Sequence, residues 1–353
     1  MKQSKGILIG KDLLGLALLF LFLILFIFSE QVSSSQQIDN LPNAMINVNT
    51  IFLSIIIEAI PFILLGVIIS ALIQIYVSAE TIQRFLPKNA LLALFPAAML
   101  GAIIPLCECA IVPVVRRLIK KGMPLHVGIV FLVAAPILNP VVFASTYFAF
   151  RNNPTILYSR MGLAFVLSII IGAILYAVFR RQPNQLRTEA NLSLASHHVH
   201  AHHGLVSHDD LSAAKPTILE RIQETLHHAV DEFFMMGKYL ILGAFIAALF
   251  QTFLDRSLLE TIGSNEYSST IVMMAFAYLL SLCSEADAFV ASSFSNQFSD
   301  ASLVGFLVYG PMLDLKNTFM LFAFFKVRFV IAFMLTVTVI VFSSIMILFG
   351  VLL

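Results

Sequence analysis

Apolar residues run unbroken for long stretches of this chain, and polar residues gather in the short segments between them. Nine such runs stand out, at 7–28, 51–77, 90–115, 124–150, 158–179, 234–254, 270–294, 299–325 and 329–353. An α-helix needs about 20 apolar residues to cross hydrocarbon, and most of these runs reach that length. None shows the short alternation of a membrane β-barrel strand, so helices are the spanning form. The run 7–28 is too long for a signal peptide and no small-x-small cleavage site follows it, so it reads as a helix.

Breaks interrupt several runs. Pro96, Pro105 and Pro113 fall in 90–115, and Pro136 and Pro311 fall in 124–150 and 299–325. Proline removes a backbone donor and opens the helix around it. Basic residues decide how the runs cross, because Lys and Arg collect on the cytoplasmic side. Lys2, Lys5 and Lys11 put the N-terminus inside, and the loop 29–50, without Lys or Arg, lies outside. Arg116, Arg117, Lys120 and Lys121 follow 90–115 at once, so that segment is expected to enter and turn back. The same reading makes 270–294 re-entrant and leaves only Arg151, Arg160 and Arg256 facing outside. The expected fold is an all-α integral membrane bundle with about seven full crossings and two re-entrant or broken segments. Full crossing by both broken segments is the alternative, and it fits the charges less well.

The chain also repeats itself. "LGVIISAL" at 65–72 matches "LGAFIAAL" at 242–249, "PLCEC" at 105–109 matches "SLCSE" at 281–285, and "APILN" at 135–139 matches "GPMLD" at 310–314. The shifts are 177, 176 and 175. With three full crossings and one broken segment per copy, the second copy is inverted, the plan of many secondary transporters. The expected organisation is an N-terminal helix and external loop (1–50), a first membrane repeat (51–180), a cytoplasmic His-rich linker (181–230) and a second repeat (231–353).

Composition agrees with the pattern. Hydrophobic residues make up 59% and charged ones 12% of 353 residues, with mean hydropathy +0.94. That is about half the charge a soluble domain carries. A net charge of +1 gives no sign of a nucleic-acid partner. No P-loop or glycine-rich nucleotide turn is present, so ATP-driven transport by this chain alone is not expected.

Chemistry concentrates at the breaks. Cys107, Glu108 and Cys109 lie together between two prolines in the third run. A buried thiol is ordinarily a small hydrophobe. A carboxylate inside a membrane is costly and points to function. Thiols flanking a carboxylate suit a soft or borderline metal, and broken helix ends add free backbone groups. The matching stretch "SLCSEADAFVASSF" supplies Cys283, Glu285 and Asp287, and inversion is expected to turn it towards the first trio. An ordinary acidic loop is the competing reading, against which its apolar flanks argue. The expectation is a shared aqueous cavity in which the thiols are reachable.

A third pair of breaks carries Asn139 and, in the second copy, Asp314, Lys316 and Asn317. A capped kink explains Asn139 adequately. Asp314 and Lys316 do not face each other on a regular helix, which predicts local unwinding there and a tethered cation at Lys316. Glu58, three residues before Pro61, is a candidate cation or proton carrier, or else a carboxylate near the outer interface. The linker segment "SHHVHAHHGLVSHDD" holds His197, His198, His200, His202, His203 and His208. Such tracts bind Zn, Ni or Cu, and they are also simply linkers of biased composition. No cofactor is required by this reading, although a bound divalent metal such as zinc is compatible with it.

"PLCECAIVPVVRRLIKKGMP", "AAPILNPVV" and "LCSEADAFVASSF" resemble the signature segments of the bacterial predicted-permease family that includes the ArsP-type organoarsenical efflux permeases. The resemblance extends from about residue 50 to 350. It implies a multi-pass protein of the bacterial cytoplasmic membrane and is compatible with a second membrane subunit as partner, since some members of the family work with one; the basic residues, not the resemblance, put the N-terminus and 181–230 in the cytoplasm. In ArsP-type members thiols of the first motif are thought to handle trivalent arsenicals, and Cys107 and Cys109 occupy those positions. Glu108 departs from the small residue expected there, which points to another branch. The expected function is a permease, not an enzyme, for a thiophilic metal ion or metal-like solute at the Cys/Glu/Asp site. Organoarsenical efflux, and a non-transporting metal sensor or scaffold, are the alternatives. A thiol enzyme is weaker, since no base–nucleophile pair is evident.

Overall fold

Among the described residues of the computed structural model, secondary structure is helical, with one isolated bridge between Leu186 and Phe325. The structure describes residues 43–76, 89–104, 106–182, 184–187, 218–253 and 266–352. The helices are α1 (Asn43–Tyr76), α2 (Leu94–Ile103), α3 (Glu108–Lys120), α4 (Leu125–Leu138), α5 (Pro140–Ala149) and α6 (Pro154–Phe179). Then come α7 (Ile218–Phe253), α8 (Glu266–Leu280), α9 (Ser284–Ser292), α10 (Asp300–Met312), α11 (Leu315–Phe324) and α12 (Val327–Ile347). Among the described residues, five spans are long and apolar enough to cross a membrane: Ala44–Ile73, Leu125–Ala149, Pro154–Phe179, Met236–Phe253 and Val327–Gly350. The run 7–28 and the tract from His197 to His208 lie outside the described residues. The helix α7 begins at Ile218, inside the stretch that the sequence reading gave to the linker.

Four runs break where the sequence predicted. The run 90–115 is α2 and α3 separated at Ile104–Cys107, and 270–294 is α8 and α9 separated at Ser281–Cys283. Run 124–150 divides at Asn139, which ends α4 and caps α5. Run 299–325 divides at Leu313–Asp314, and Asp314 caps α11. The breaks at Cys107 and Cys283 lie 176 positions apart, and those at Asn139 and Asp314 lie 175 apart.

Burial separates central helices from peripheral ones. Almost every residue of α4 and α10 is buried, as a helix apolar on all sides requires to be packed in the middle. Helices α1, α6, α7 and α12 each keep one apolar face exposed, with Leu65, Val166, Phe245 and Leu335 on those faces. In a membrane such faces meet lipid tails at no hydrophobic cost. The chain from Thr50 onwards forms one compact unit.

Small residues let helices approach. A Cβ on Gly66 of α1 would stand 2.6 Å from the Ala110 Cα of α3, and one on Gly243 of α7 would stand 2.8 Å from the Lys316 Cα of α11. Both glycines belong to the repeated LG segments, and each holds a crossing helix against a half-helix that carries chemistry. The half-helices also exchange partners: α9 packs on α5, and α11 packs on α3. Residues 184–187, at the start of the linker, are tied to the end of α11. Arg187 N donates to Phe324 O at 2.8 Å, and Lys326 N donates to Gln185 O at 2.9 Å.

Candidate functional site

Two half-helices begin in the interior of the bundle. Cys107 is the N-cap of α3 and Cys283 the N-cap of α9, both in extended backbone and neither capping with its side chain. Helix N-termini leave N–H groups without helical partners and carry the positive end of the helix dipole. Each half-helix therefore opens with a thiol, followed by Glu108 in one and Ser284 in the other. These two residues touch: Ser284 Oγ donates to Glu108 Oε2 at 2.9 Å.

Glu108 is fully buried, and its other oxygen faces a cation. Glu108 Oε1 lies 3.6 Å from Lys316 Nζ, and Asp314 Oδ2 lies 3.6 Å from the same nitrogen. Neither oxygen has a hydrogen-bond partner. Lys316 Nζ donates to Ser281 O at 2.7 Å. Unwinding brings Asp314 and Lys316 together as predicted, because Asp314 stands in extended backbone ahead of α11. Its Oδ1 accepts from Asn317 N at 2.6 Å. Ser281 is the non-glycine residue with positive φ among the described residues, at 49°. This costs on the order of 1–3 kcal/mol and persists only where surroundings enforce it. Here they do: Ser281 Oγ accepts from Leu315 N at 3.0 Å and Lys316 N at 3.3 Å, binding the α8–α9 break to the start of α11.

The three thiols are unbridged and buried, with 1–3% of their surface exposed. This corrects the expectation of reachable thiols: packing closes the break in this arrangement. Cys107 and Cys283 are brought to the same place by the contact between the residues that follow them, Glu108 and Ser284. Among the described residues no three His, Cys, Asp or Glu side chains form a ready metal-binding group.

Other predicted residues are placed differently. Asp287 is engaged by Arg160, whose Nη2 donates to both carboxylate oxygens at 2.9 and 3.0 Å and to Ser284 O at 3.2 Å. Arg160 Nη1 donates to Thr146 Oγ1 at 2.7 Å. Arg160 is wholly buried, not turned outward as charge counting placed it. A charge two residues inside the run 158–179 was the available signal. Asn139 serves its own break, accepting from Val142 N and donating to Ala135 O, and so acts as a cap. Glu285 is half-buried with Oε2 unpartnered, in the first turn of α9. Glu58 is exposed in the middle of α1, outside the buried cluster.

Long apolar helices around a core of buried charges at helix breaks define a multi-pass helical membrane protein. Residues 44–351 match the family described as a predicted permease (ArsP_1), and the chain belongs to that family, one of transporters and not of enzymes. It is 49% identical over 302 residues to the UPF0718 protein YcgR of Bacillus subtilis (strain 168), covering 86% of this chain and 97% of that one. It is 38% identical over 303 residues to a putative two-component membrane permease complex subunit of Streptococcus mutans serotype c, covering 86% of this chain and 95% of that one. No solved structure matches.

Proposed function

We propose that this chain is the conducting subunit of a cytoplasmic-membrane permease, and that its cargo is a thiophilic metal cation or metal-like solute. The supporting observation is the contact between Ser284 and Glu108. These positions are equivalent under the repeat shift of 176. Two equivalent residues that touch lie on the axis relating the two copies. In transporters built from inverted repeats, that axis lies in the membrane plane and the site sits on it at discontinuous helices. The exchange of α9 onto α5 and α11 onto α3 is the packing such a relation produces. About seven crossings, with the N-terminus and the linker cytoplasmic, belong to the same reading.

Cargo chemistry follows from the side chains at the axis. Three thiols supply soft ligands, and Glu108 supplies charge. The arrangement is closed, so cargo binding requires the two half-helix starts to move together, and passage requires the bundle to open on either side in turn. The three unbridged thiols equally suit a trivalent organoarsenical, which is the second reading. The Streptococcus mutans relative is named as a subunit of a two-component complex, which supports a second membrane subunit here. The His tract would bind metal on the cytoplasmic side without lining the path.

Elemental analysis of cells lacking or overproducing the protein tests the proposal. One thiophilic metal, or arsenic supplied as a trivalent organoarsenical, should change in opposite directions in the two strains. Unchanged content of every metal and of arsenic, with the protein in the membrane, refutes it. Binding of metal by the purified protein without altered content or flux favours the sensor instead.

A further inference from the structure

Two of the buried cations, Arg160 and Lys316, are bonded in opposite ways. Arg160 grips Asp287 through two hydrogen bonds of 2.9 and 3.0 Å. Lys316 stands 3.6 Å from each of two carboxylate oxygens and makes one short bond, to Ser281 O at 2.7 Å. An ammonium has three donors. The oxygens of Glu108 and Asp314 that face it have no hydrogen bond of their own, though both residues are at most 1% exposed. Asn317 Oδ1, in the same turn as Lys316, is also buried without a partner. Two carboxylate oxygens and a backbone carbonyl around one point are the donor types of a metal-cation seat.

The walls of this seat are held without help from the ammonium. Ser284 fixes Glu108 through Oε2, Asn317 N fixes Asp314 through Oδ1, and Leu315 N fixes Ser281 through Oγ. Gly243 presses the Lys316 backbone against α7. The movable part is the four-carbon stem, which carries a compact point charge. An anion in the same place would meet two unpartnered carboxylate oxygens.

We propose that the Lys316 ammonium is the resident counter-cation of this site: it fills the seat a permeating cation takes, and the two occupy it in turn. This rests on the permease reading and narrows its cargo to a cation. The thiols Cys107 and Cys283 cap the two half-helices immediately before Glu108 and Ser284, which touch each other, and this makes a thiophilic cation the favoured occupant.

Zn2+ is the probe, used on the full-length protein in detergent. Lys316→Ala should retain Zn2+ through washing that strips the parent. If Lys316 fills the seat about nine-tenths of the time, its removal tightens apparent affinity about tenfold. Adding Glu108→Gln to Lys316→Ala should abolish the gain. A second arm uses the parent alone: saturating Zn2+ should raise reductive methylation of Lys316, read by peptide mass spectrometry, several-fold as the amine is displaced. No gain in Lys316→Ala, a gain that survives Glu108→Gln, or methylation unchanged or lowered by Zn2+ overturns the proposal. If Lys316→Ala does not fold, the methylation arm decides. A parent with no flux but a Zn2+-binding Lys316→Ala would refute the permease reading and leave the seat standing. Flux without these effects would do the reverse.

Discussion

Replacing Arg160 with methionine should be among the most damaging single changes in the protein. It removes two bonds to Asp287, one to Ser284 O and one to Thr146 Oγ1, and leaves the Asp287 carboxylate buried and unpaired. Breaking a buried pair from one side costs about 3–5 kcal/mol. Replacing both partners by apolar residues removes the stranded charge, so Arg160→Met with Asp287→Leu should lie within about 1 kcal/mol of the parent. Asp287→Leu alone strands the Arg160 charge at a similar cost, so the coupling between the two sites is about 5 kcal/mol or more, well above the roughly 0.5 kcal/mol within which independent sites add. Unfolding in mixed micelles, as SDS displaces a mild detergent, measures all four corners of the cycle by loss of helical signal. Arg160→Met within about 1 kcal/mol of the parent, or no coupling, would refute the structural role argued for this pair. The same double variant separates stability from transport. If Asp287 only anchors α9, the folded double variant still transports; complete loss would return Asp287 to the cargo site.

Other expectations follow from packing and placement. Gly66→Ala and Gly243→Ala push a Cβ into backbone and should each cost about 1–3 kcal/mol or more, while Gly162→Ala, which meets open space, should be neutral or slightly stabilising in the same unfolding assay. A water-soluble maleimide should label Cys107, Cys109 and Cys283 slowly in the resting protein; rapid labelling by mass spectrometry would contradict the closed arrangement. Labelling of a Lys120→Cys variant should occur from the cytoplasmic side of oriented vesicles, and labelling from the outside would sink the re-entrant topology. Deleting 196–208 should leave flux measurable but change its metal dependence, and total loss with normal expression would show that the tract belongs to the transport machinery.

The breaks were legible because proline and small polar residues interrupt otherwise uniform apolar runs. Cys107, Asn139, Cys283 and Asp314 each sit where a helix restarts, and the unwinding at Asp314–Lys316 followed from their spacing. The touching pair was half legible. The repeat shift places 284 opposite 108, yet a serine beside Glu285 and Asp287 is a weaker candidate for cargo chemistry than the carboxylates, and Ser284 was not among the expected site residues. Arg160 was misplaced because charge counting assigns every Arg near a run end to a loop, whereas a guanidinium with a carboxylate partner can be buried. Periodicity could not reveal closure either, since the same residues line the site whether it is packed or open. Glu58 shows the opposite limit: its position before Pro61 left a cation or proton carrier and a carboxylate near the outer interface both open, and the structure puts it exposed on the outward stripe of α1 with Pro61 and Leu65.

The central claim is that cargo crosses at the meeting of the α3 and α9 starts. Flux of radiolabelled Zn2+ into proteoliposomes, with the parent, Cys109→Ser and Glu108→Gln compared at equal incorporation, tests it most directly. The account predicts flux by the parent above empty liposomes, severe loss in Cys109→Ser, and an altered pH dependence in Glu108→Gln. Parent-like flux in both variants would contradict it, because the residues at the axis would then be packing and the path would lie elsewhere.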